Sequence, residues 1–207
     1  MRSHGVVLAL AAVMARTTVA QTVTQSPPFS LKITSSTNAT LDGQYLVACH
    51  AGAAIEGLCL GGTASASGEG TFYFYFNRTD YGSGPSPTGT LVWNLPYTGP
   101  DGPATESEPL IFQISNLGSN VVVPLFQPGY PTAPDLGFDS DSKMYISAWD
   151  DSTLVSGQWP TTTTTIQLYN WYICYAETGG YFYNSLAWVL SGEPHNPTCQ
   201  SVGVVRA

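Results

Sequence analysis

The sequence has little charge. Of its 207 residues only 14 are acidic and six are basic. This share of 10% compares with about 25% in an average soluble domain. After residue 20 the only lysines and arginines are Lys32, Arg78, Lys143 and Arg206. So acidic a chain repels phosphate backbones and anionic lipid surfaces, which excludes nucleic acids and membranes as partners.

Long apolar runs are also missing after the first twenty residues. Residues 1–20 have a charged start at Arg2, an apolar stretch from Val6 to Ala15 and small residues near Ala20, a pattern typical of a secretory signal peptide cleaved before Gln21. The stretch is too short to span a bilayer. No internal repeat or long linker follows. We therefore expect residues 21–207 to form a single secreted domain, extracellular or associated with a cell wall.

Motifs of the common catalytic classes are absent. There is no Gly-x-Ser-x-Gly nucleophile motif and no His-Glu-x-x-His zinc motif, and the histidines after residue 20 are His50 and His195. Glycoside hydrolysis stays open, because it needs only two carboxyl groups in one cleft, which spacing along the chain does not reveal. The candidates for such a pair are Glu56, Glu69, Glu177 and Glu193.

Cysteine occurs four times, an even number that predicts two disulfides in an oxidising compartment. We expect the pairs Cys49–Cys59 and Cys174–Cys199, because each closes a short local loop rich in glycine, proline or small residues. Metal ligation together with nearby histidines is the alternative. No Cys-x-x-Cys spacing supports it.

Turn-forming and aromatic residues are abundant: 21 glycines, 15 prolines, 12 tyrosines, eight phenylalanines and five tryptophans. The stretches between the turn clusters are short and favour β-branched and aromatic residues, as strands do. The chain is therefore predicted to be all-β, a two-sheet antiparallel β-sandwich of jelly-roll type. At most one short helix is expected, over Ala51–Leu58 in the Cys49–Cys59 loop, where two glycines weaken it.

The stretch Phe72–Asn77 alternates as a strand does, with its phenylalanines on one face and Tyr73, Tyr75 and Asn77 on the other. Asn77 begins one of two Asn-x-Thr glycosylation sequons, and Asn38 begins the second. A glycan at Asn77 requires solvent on its face of the strand. The phenylalanines are therefore predicted to lie in the core.

The C-terminal region predicts a β-hairpin of Ile166–Ala176 and Tyr181–Leu190, with Glu177-Thr-Gly-Gly180 as the turn and Ala176 opposite Tyr181. The bulkier face is predicted to be core and holds Tyr169, Trp171, Ile173, Tyr175, Phe182, Leu186, Trp188 and Leu190. The outer face holds Tyr172, Cys174, Tyr181 and Tyr183. A Cys174–Cys199 bond would fold the following tail over part of that outer face.

Five tyrosines are thus expected on outward faces: Tyr73, Tyr75, Tyr172, Tyr181 and Tyr183. Exposed aromatic rings stack on the apolar faces of sugar rings, and their hydroxyls form hydrogen bonds. The low charge suits a neutral polysaccharide. The alternative is that a second layer of the fold covers these rings.

The densest acidic segment holds Asp135, Asp139 and Asp141. Oxygen ligands at alternate positions suit calcium, which would stabilise the fold. The alternative is a solvated acidic loop, because the spacing does not match the EF-hand pattern. No other cofactor is indicated.

Four segments resemble a family of small secreted proteins of filamentous fungi: Leu41-Asp-Gly-Gln-Tyr-Leu46, Cys49-His-Ala-Gly-Ala-Ala-Ile-Glu-Gly-Leu-Cys59, Trp171-Tyr-Ile-Cys174 and Asn196-Pro-Thr-Cys199. The family has no assigned activity. The resemblance implies secretion and a compact domain, and it carries over no functional residue.

Together these patterns favour a secreted, non-catalytic protein that binds cell-wall polysaccharide or a host surface. A small glycan-active hydrolase and a protein-interaction effector are the alternatives. The sequence indicates no ligand identity and no oligomeric state.

Overall fold

A computed structural model describes residues 22–62, 70–80, 87–112, 118–129, 133–160 and 164–207. The predicted signal peptide and Glu69 lie outside these residues. The described chain is almost entirely β, with one 3-10 turn at Gly70–Phe72 and no α-helix. Its strands are β1 (Thr22–Gln25), β2 (Leu31–Thr34), β3 (Tyr45–Gly52), β4 (Ile55–Gly62), β5 (Tyr75–Asp80), β6 (Thr88–Gly99), β7 (Gly102–Phe112), β8 (Val121–Val122), β9 (Pro124–Phe126), β10 (Leu136–Phe138), β11 (Met144–Trp149), β12 (Thr165–Leu168), β13 (Trp171–Thr178), β14 (Tyr181–Val189), β15 (Gln200–Ser201) and β16 (Gly203–Arg206).

Every strand pairing in the described residues is antiparallel, and the pairings join the strands into one curled sheet. Its main path runs β12-β11-β10-β6-β7-β9-β4-β14-β13-β15, while β3, β2 and β16 extend in turn from β4. A bridge between Lys143 and Val205 brings the β10–β11 turn back to β16. The antiparallel all-β prediction is confirmed. Two separate sheets are not resolved in this pairing, so the jelly-roll arrangement stays a prediction.

One hydrophobic core lies inside the curl. Strand β2 illustrates its origin: Leu31 and Ile33 are fully buried, while the alternate residues Lys32 and Thr34 are half-exposed, as the two-residue period of a strand requires. Aromatic rings fill the centre, with Phe74 stacked on Phe126 at 5.6 Å and Trp171 edge-on to Trp188 at 4.7 Å between ring centroids. No described helix has the length and hydropathy needed to cross a membrane.

The predicted core phenylalanines Phe72, Phe74 and Phe76 are all buried, as the alternation indicated. Their strand is shorter than expected, because Phe72 belongs to the 3-10 turn and β5 begins at Tyr75.

The helix expected over Ala51–Leu58 is wrong. These residues end β3, turn at Ala53–Ala54 and begin β4. The residues on both sides of the loop pair with other strands. This pairing outweighs the weak helix propensity of a stretch with two glycines. The predicted disulfide Cys49–Cys59 is present and joins neighbouring strands of this hairpin. Gly57 lies opposite Cys49, and a Cβ there would approach the Cys49 Sγ to 3.1 Å.

The C-terminal hairpin has the predicted faces in a different register. Its turn is only Gly179–Gly180, both with positive φ (60° and 89°), as two-residue hairpin turns require. Thr178 therefore lies opposite Tyr181, two residues from the expected pairing. A shift of two leaves each side chain on its face. The segment Thr165–Leu168 does not continue into this hairpin but pairs with β11.

Candidate functional site

The far end of the β13–β14 hairpin carries two exposed aromatic rings. Tyr175 and Phe182 are 52% and 60% exposed, and their rings stack with centroids 5.6 Å apart and planes inclined by 27°. They lie on the same hairpin face as the buried residues Trp171 and Ile173. Tyr169 and Leu190, at the other end of this face, are exposed as well (39% and 49%). The prediction that this whole face is core is therefore wrong at both ends, because the buried cluster holds only its middle part: Trp171, Ile173, Leu186 and Trp188.

A groove of about 680 Å³ borders this ring pair. Its lining combines aliphatic residues of the neighbouring strands with five polar side chains, those of Ser119, Thr178, Glu177, His195 and Asn196; the last three form its polar edge. Its full lining is Ala51, Ile55, Gly118, Ser119, Val121, Val123, Leu125, Tyr175, Ala176, Glu177, Thr178, Gly179, Phe182, His195 and Asn196. Ligand sites in proteins combine concave apolar walls with a few polar groups in the same way.

The polar edge is held in place by the segment that follows β14. Asn196 Nδ2 donates a hydrogen bond to the Tyr175 carbonyl oxygen (3.0 Å), and the Tyr175 amide donates to Thr198 Oγ1 (2.9 Å). The His195 amide donates to Asn120 Oδ1 at 2.9 Å. The predicted disulfide Cys174–Cys199 is present and ties this segment to β13, and Cys174 beneath it is fully buried.

Two of the five predicted tyrosines meet on the opposite face of the same hairpin end. Tyr181 and Tyr183 stack with centroids 6.1 Å apart, and His50 contacts the Tyr181 ring edge-on at 5.4 Å. Tyr183 Oη donates a hydrogen bond to the His50 carbonyl oxygen (3.1 Å). Tyr181 is 45% exposed, whereas Tyr183 is half-buried.

The other three tyrosines do not join this cluster. Tyr172 shares the face of Tyr183 but lies further back on the hairpin, half-buried opposite Ala187 and Ser201. Tyr73 and Tyr75 are half-buried around the start of β5, which pairs with β1 and β6.

Two buried carboxyl groups face the core from different strands. Glu56 on β4 lies opposite Phe126 on β9, and Phe126 lies opposite Leu110 on β7. Glu108 is two residues from Leu110 and so shares its face. Glu108 is fully buried and Glu56 nearly so. Burial, and after it the neighbouring carboxyl group of Glu56, raise the pKa of Glu108 to about 9.

The sequence did not predict this pair: Glu56 was among the candidate glutamates, but Glu108 was not. Of those candidates, Glu56 is buried, Glu177 accepts a hydrogen bond from the Gly180 amide in the hairpin turn, and Glu193 is exposed. Among the described residues that line the groove, Glu177 is the one carboxylate. The described lining therefore does not supply the two facing carboxyl groups that glycoside hydrolysis requires.

Of the three aspartates proposed for calcium, Asp135 is exposed and its main-chain carbonyl oxygen accepts the Ser147 amide, while the side chains of Asp139 and Asp141 make other contacts. Asp139 Oδ1 accepts the amides of Asp141 and Lys143 (both 2.9 Å), and its Oδ2 accepts the Tyr169 hydroxyl (2.9 Å). Asp141 pairs with the Lys143 ammonium at 3.8 Å. Within the described ranges, no three His, Cys, Asp or Glu side chains come together as metal ligands. The calcium site stays a prediction, without support from this geometry.

Burial and hydrogen bonding shift the pKa values of Asp139 and Tyr169. Burial opposes the charge on Asp139, but the bonds from Lys143, Tyr169 and Asp141 outweigh it and lower its pKa. Burial and the Asp139 carboxylate raise the pKa of Tyr169 to about 12.

Both sequon asparagines make side-chain hydrogen bonds. Asn38 Nδ2 donates to Gln200 Oε1 (2.6 Å), and its Oδ1 accepts the Thr40 amide (2.9 Å). Asn77 Oδ1 accepts Gln25 Nε2 at 2.9 Å. Glycosylation at these positions stays a prediction.

The hairpin turn that carries the site depends on Gly179. A Cβ there would overlap the Ala51 carbonyl oxygen, whereas one at Gly180 would have nothing within 4 Å. Both positions have positive φ, which costs a residue with a Cβ about 1–2 kcal/mol. We expect Gly179→Ala to lower the free energy of unfolding by at least about 2 kcal/mol and Gly180→Ala by about 1 kcal/mol.

Urea unfolding of the two glycine variants measures this difference. Equal losses would contradict the close approach of the turn to β3.

Comparison with curated proteins and with solved structures finds no significant match. A protein-family model does match, and it covers the hairpin, both disulfides and the groove. Because that match extends over residues 26–207, the chain belongs to the family described as a domain of unknown function (DUF7907).

Proposed function

We propose that this protein is a secreted, non-catalytic binding protein for neutral polysaccharide. The observation that carries the proposal is the exposed, stacked ring pair Tyr175–Phe182 beside a groove with polar edge groups. Flat aromatic surfaces bind the C–H faces of sugar rings, while neighbouring amide and carboxylate groups accept and donate hydrogen bonds to sugar hydroxyls. Asn196 and Glu177 are placed for the second task.

The charge of the chain narrows the ligand class. The sequence carries 14 acidic residues against six basic ones, and the groove edge holds the acidic residue Glu177 and no lysine or arginine among its described residues. Anionic polysaccharides would be repelled, so a neutral cell-wall polymer fits best. The proposal includes secretion, which the signal-like residues 1–20 and the two disulfides support. It also includes association with a fungal cell wall or a host surface. As the finer description of the fold, it includes a jelly-roll sandwich.

A depletion assay on insoluble chitin, β-glucan and cellulose tests the proposal. We expect protein to leave the supernatant with at least one polymer. Tyr175→Ala and Phe182→Ala should each weaken binding up to about tenfold, because an aromatic stacking contact contributes about 0.5–1.5 kcal/mol. The double variant should abolish measurable depletion.

Two control variants place the binding surface. Tyr181→Ala with Tyr183→Ala removes the ring pair of the opposite hairpin face, and Trp159→Ala removes a side chain that is 94% exposed and is not part of the groove lining. Both should bind like the wild type. Loss of binding in the Tyr181/Tyr183 variant alone would move the site to that face.

Two outcomes overturn the proposal as a whole. If the wild type binds none of the polymers, a protein partner becomes the better hypothesis. If binding is accompanied by release of soluble sugar, the protein is a hydrolase and its carboxyl groups must be sought outside the groove described above.

A further inference from the structure

The buried carboxyl groups of Glu56 and Glu108 have no compensating positive charge. No lysine or arginine in the described part of the chain forms an ion pair with either group, and the one ion pair found there joins Lys143 to Asp141. Neither Glu108 oxygen nor Glu56 Oε2 receives a hydrogen bond from a described amide or hydroxyl. Two carboxylates buried together without cations or donors cost far more free energy than a neutral acid beside one carboxylate.

The strands around Glu56 and Glu108 carry few charged groups that could neutralise two buried carboxylates. Strands β6, β9 and β14 carry no charged side chain. On β7, Glu106 is a further negative neighbour and is exposed. On β3, His50 lies opposite Glu56 and is exposed. Phe126 and Leu110, the paired residues of β9 and β7 beside Glu56, are fully buried and apolar.

We propose that the Glu56–Glu108 pair holds a proton that only the folded chain retains, so that the protein is built to be more stable in mildly acidic surroundings than in neutral or alkaline ones. This inference is independent of the polysaccharide-binding proposal, because it concerns the interior of the sheet and not the groove.

The direction of the effect follows from proton linkage. Unfolding exposes Glu108 to water, where glutamate ionises near its usual pKa of about 4.3. In the folded chain its pKa is raised to about 9. Between these values the folded state binds one proton more than the unfolded state, so stability falls as pH rises. The ratio of unfolded to folded chain should increase about tenfold for each pH unit in this range.

The other shifted groups act outside this range. The lowered pKa of Asp139 contributes stability that is lost only as pH falls below about 4, and the raised pKa of Tyr169 reduces stability only above about pH 10. The interval from pH 5 to pH 8 therefore avoids both of these effects. All four cysteines are in disulfides, so thiol exchange does not interfere.

Equilibrium urea unfolding of the full chain, with disulfides intact, tests the proposal at several values between pH 5 and pH 8. For the wild type we expect the unfolded-to-folded ratio to rise on the order of a thousandfold over these three units. Glu108→Gln should remove most of this dependence. The matched control Glu106→Gln makes the same change at an exposed position of the same strand and should keep it. His50→Gln should keep it too, because His50 is exposed and the buried pair does not depend on it.

Infrared spectroscopy gives a second readout that does not depend on unfolding. The folded wild type at pH 7 should show the carbonyl band of a protonated carboxylic acid, and Glu108→Gln should lack it. A wild type without that band, or with stability independent of pH, would overturn the proposal. Stability that instead rises with pH and is lost on addition of EDTA would also overturn it and would identify a bound cation as the neutralising charge.

Discussion

Replacement of Trp171 by alanine is expected to lower the free energy of unfolding by about 3–5 kcal/mol. Trp171 is fully buried and is among the largest side chains of the core. Its ring contacts Trp188 edge-on at 4.7 Å, and its Nε1 donates a hydrogen bond to the Met144 carbonyl oxygen at 2.9 Å. The substitution therefore leaves a cavity, removes an aromatic pair and leaves a buried carbonyl without its donor.

Trp159 provides the matched control for this prediction. Its side chain is 94% exposed, so Trp159→Ala should change stability by no more than about 0.5 kcal/mol. Urea unfolding of both variants at one pH measures the contrast. Comparable losses in the two variants would mean that the loop with Trp159 packs far more closely than its exposure indicates.

Features governed by local chemistry were predictable from the sequence. Alternation in Phe72–Asn77 predicted the burial of Phe74 and Phe76, because a strand with one buried face needs apolar residues at every second position. The disulfide pairs followed from loop length, since each joins cysteines that are close along the chain. The hairpin faces of β13 and β14 were correct even though the register was not, because an error of two residues preserves the face.

The errors arose where distant parts of the chain decide the structure. The expected helix over Ala51–Leu58 is a hairpin because β4 finds partners on β9 and β14, strands more than sixty residues further along the chain. The core face of β13 was correctly assigned, but nothing in its own pattern says where the opposing core residues stop. Tyr175 and Phe182 were for that reason assigned to the interior.

In the candidate site too, features within one hairpin were predictable, whereas contacts between distant parts of the chain were not. Tyr181 and Tyr183 were predicted as outward-facing and do stack at the hairpin end. The groove needed four separate stretches of the chain to meet, and the carboxyl pair needed β4 and β7 to lie on either side of β9. Neither arrangement has a spacing signature within one strand.

Removal of the Cys174–Cys199 disulfide is expected to produce the second large loss of stability. In the chain-entropy account, a bond that closes a longer loop restricts the unfolded chain more. The Cys174–Cys199 pair is separated by 25 residues and the Cys49–Cys59 pair by 10. We expect Cys174→Ala with Cys199→Ala to cost about 3.5 kcal/mol, and Cys49→Ala with Cys59→Ala to cost about 2.7 kcal/mol, both measured by urea unfolding.

The two double variants should differ more in binding than in stability. The Cys174–Cys199 bond anchors the segment with His195 and Asn196, which form the polar edge of the groove, whereas the Cys49–Cys59 bond reinforces a hairpin already held by backbone pairing. At a temperature where both variants remain folded, loss of the first bond should weaken polysaccharide binding and loss of the second should leave it near the wild-type level. Equal binding by both variants would mean that the hydrogen bonds of Asn196 and Thr198 to Tyr175 hold the edge without the disulfide, and that the ring pair alone accounts for affinity.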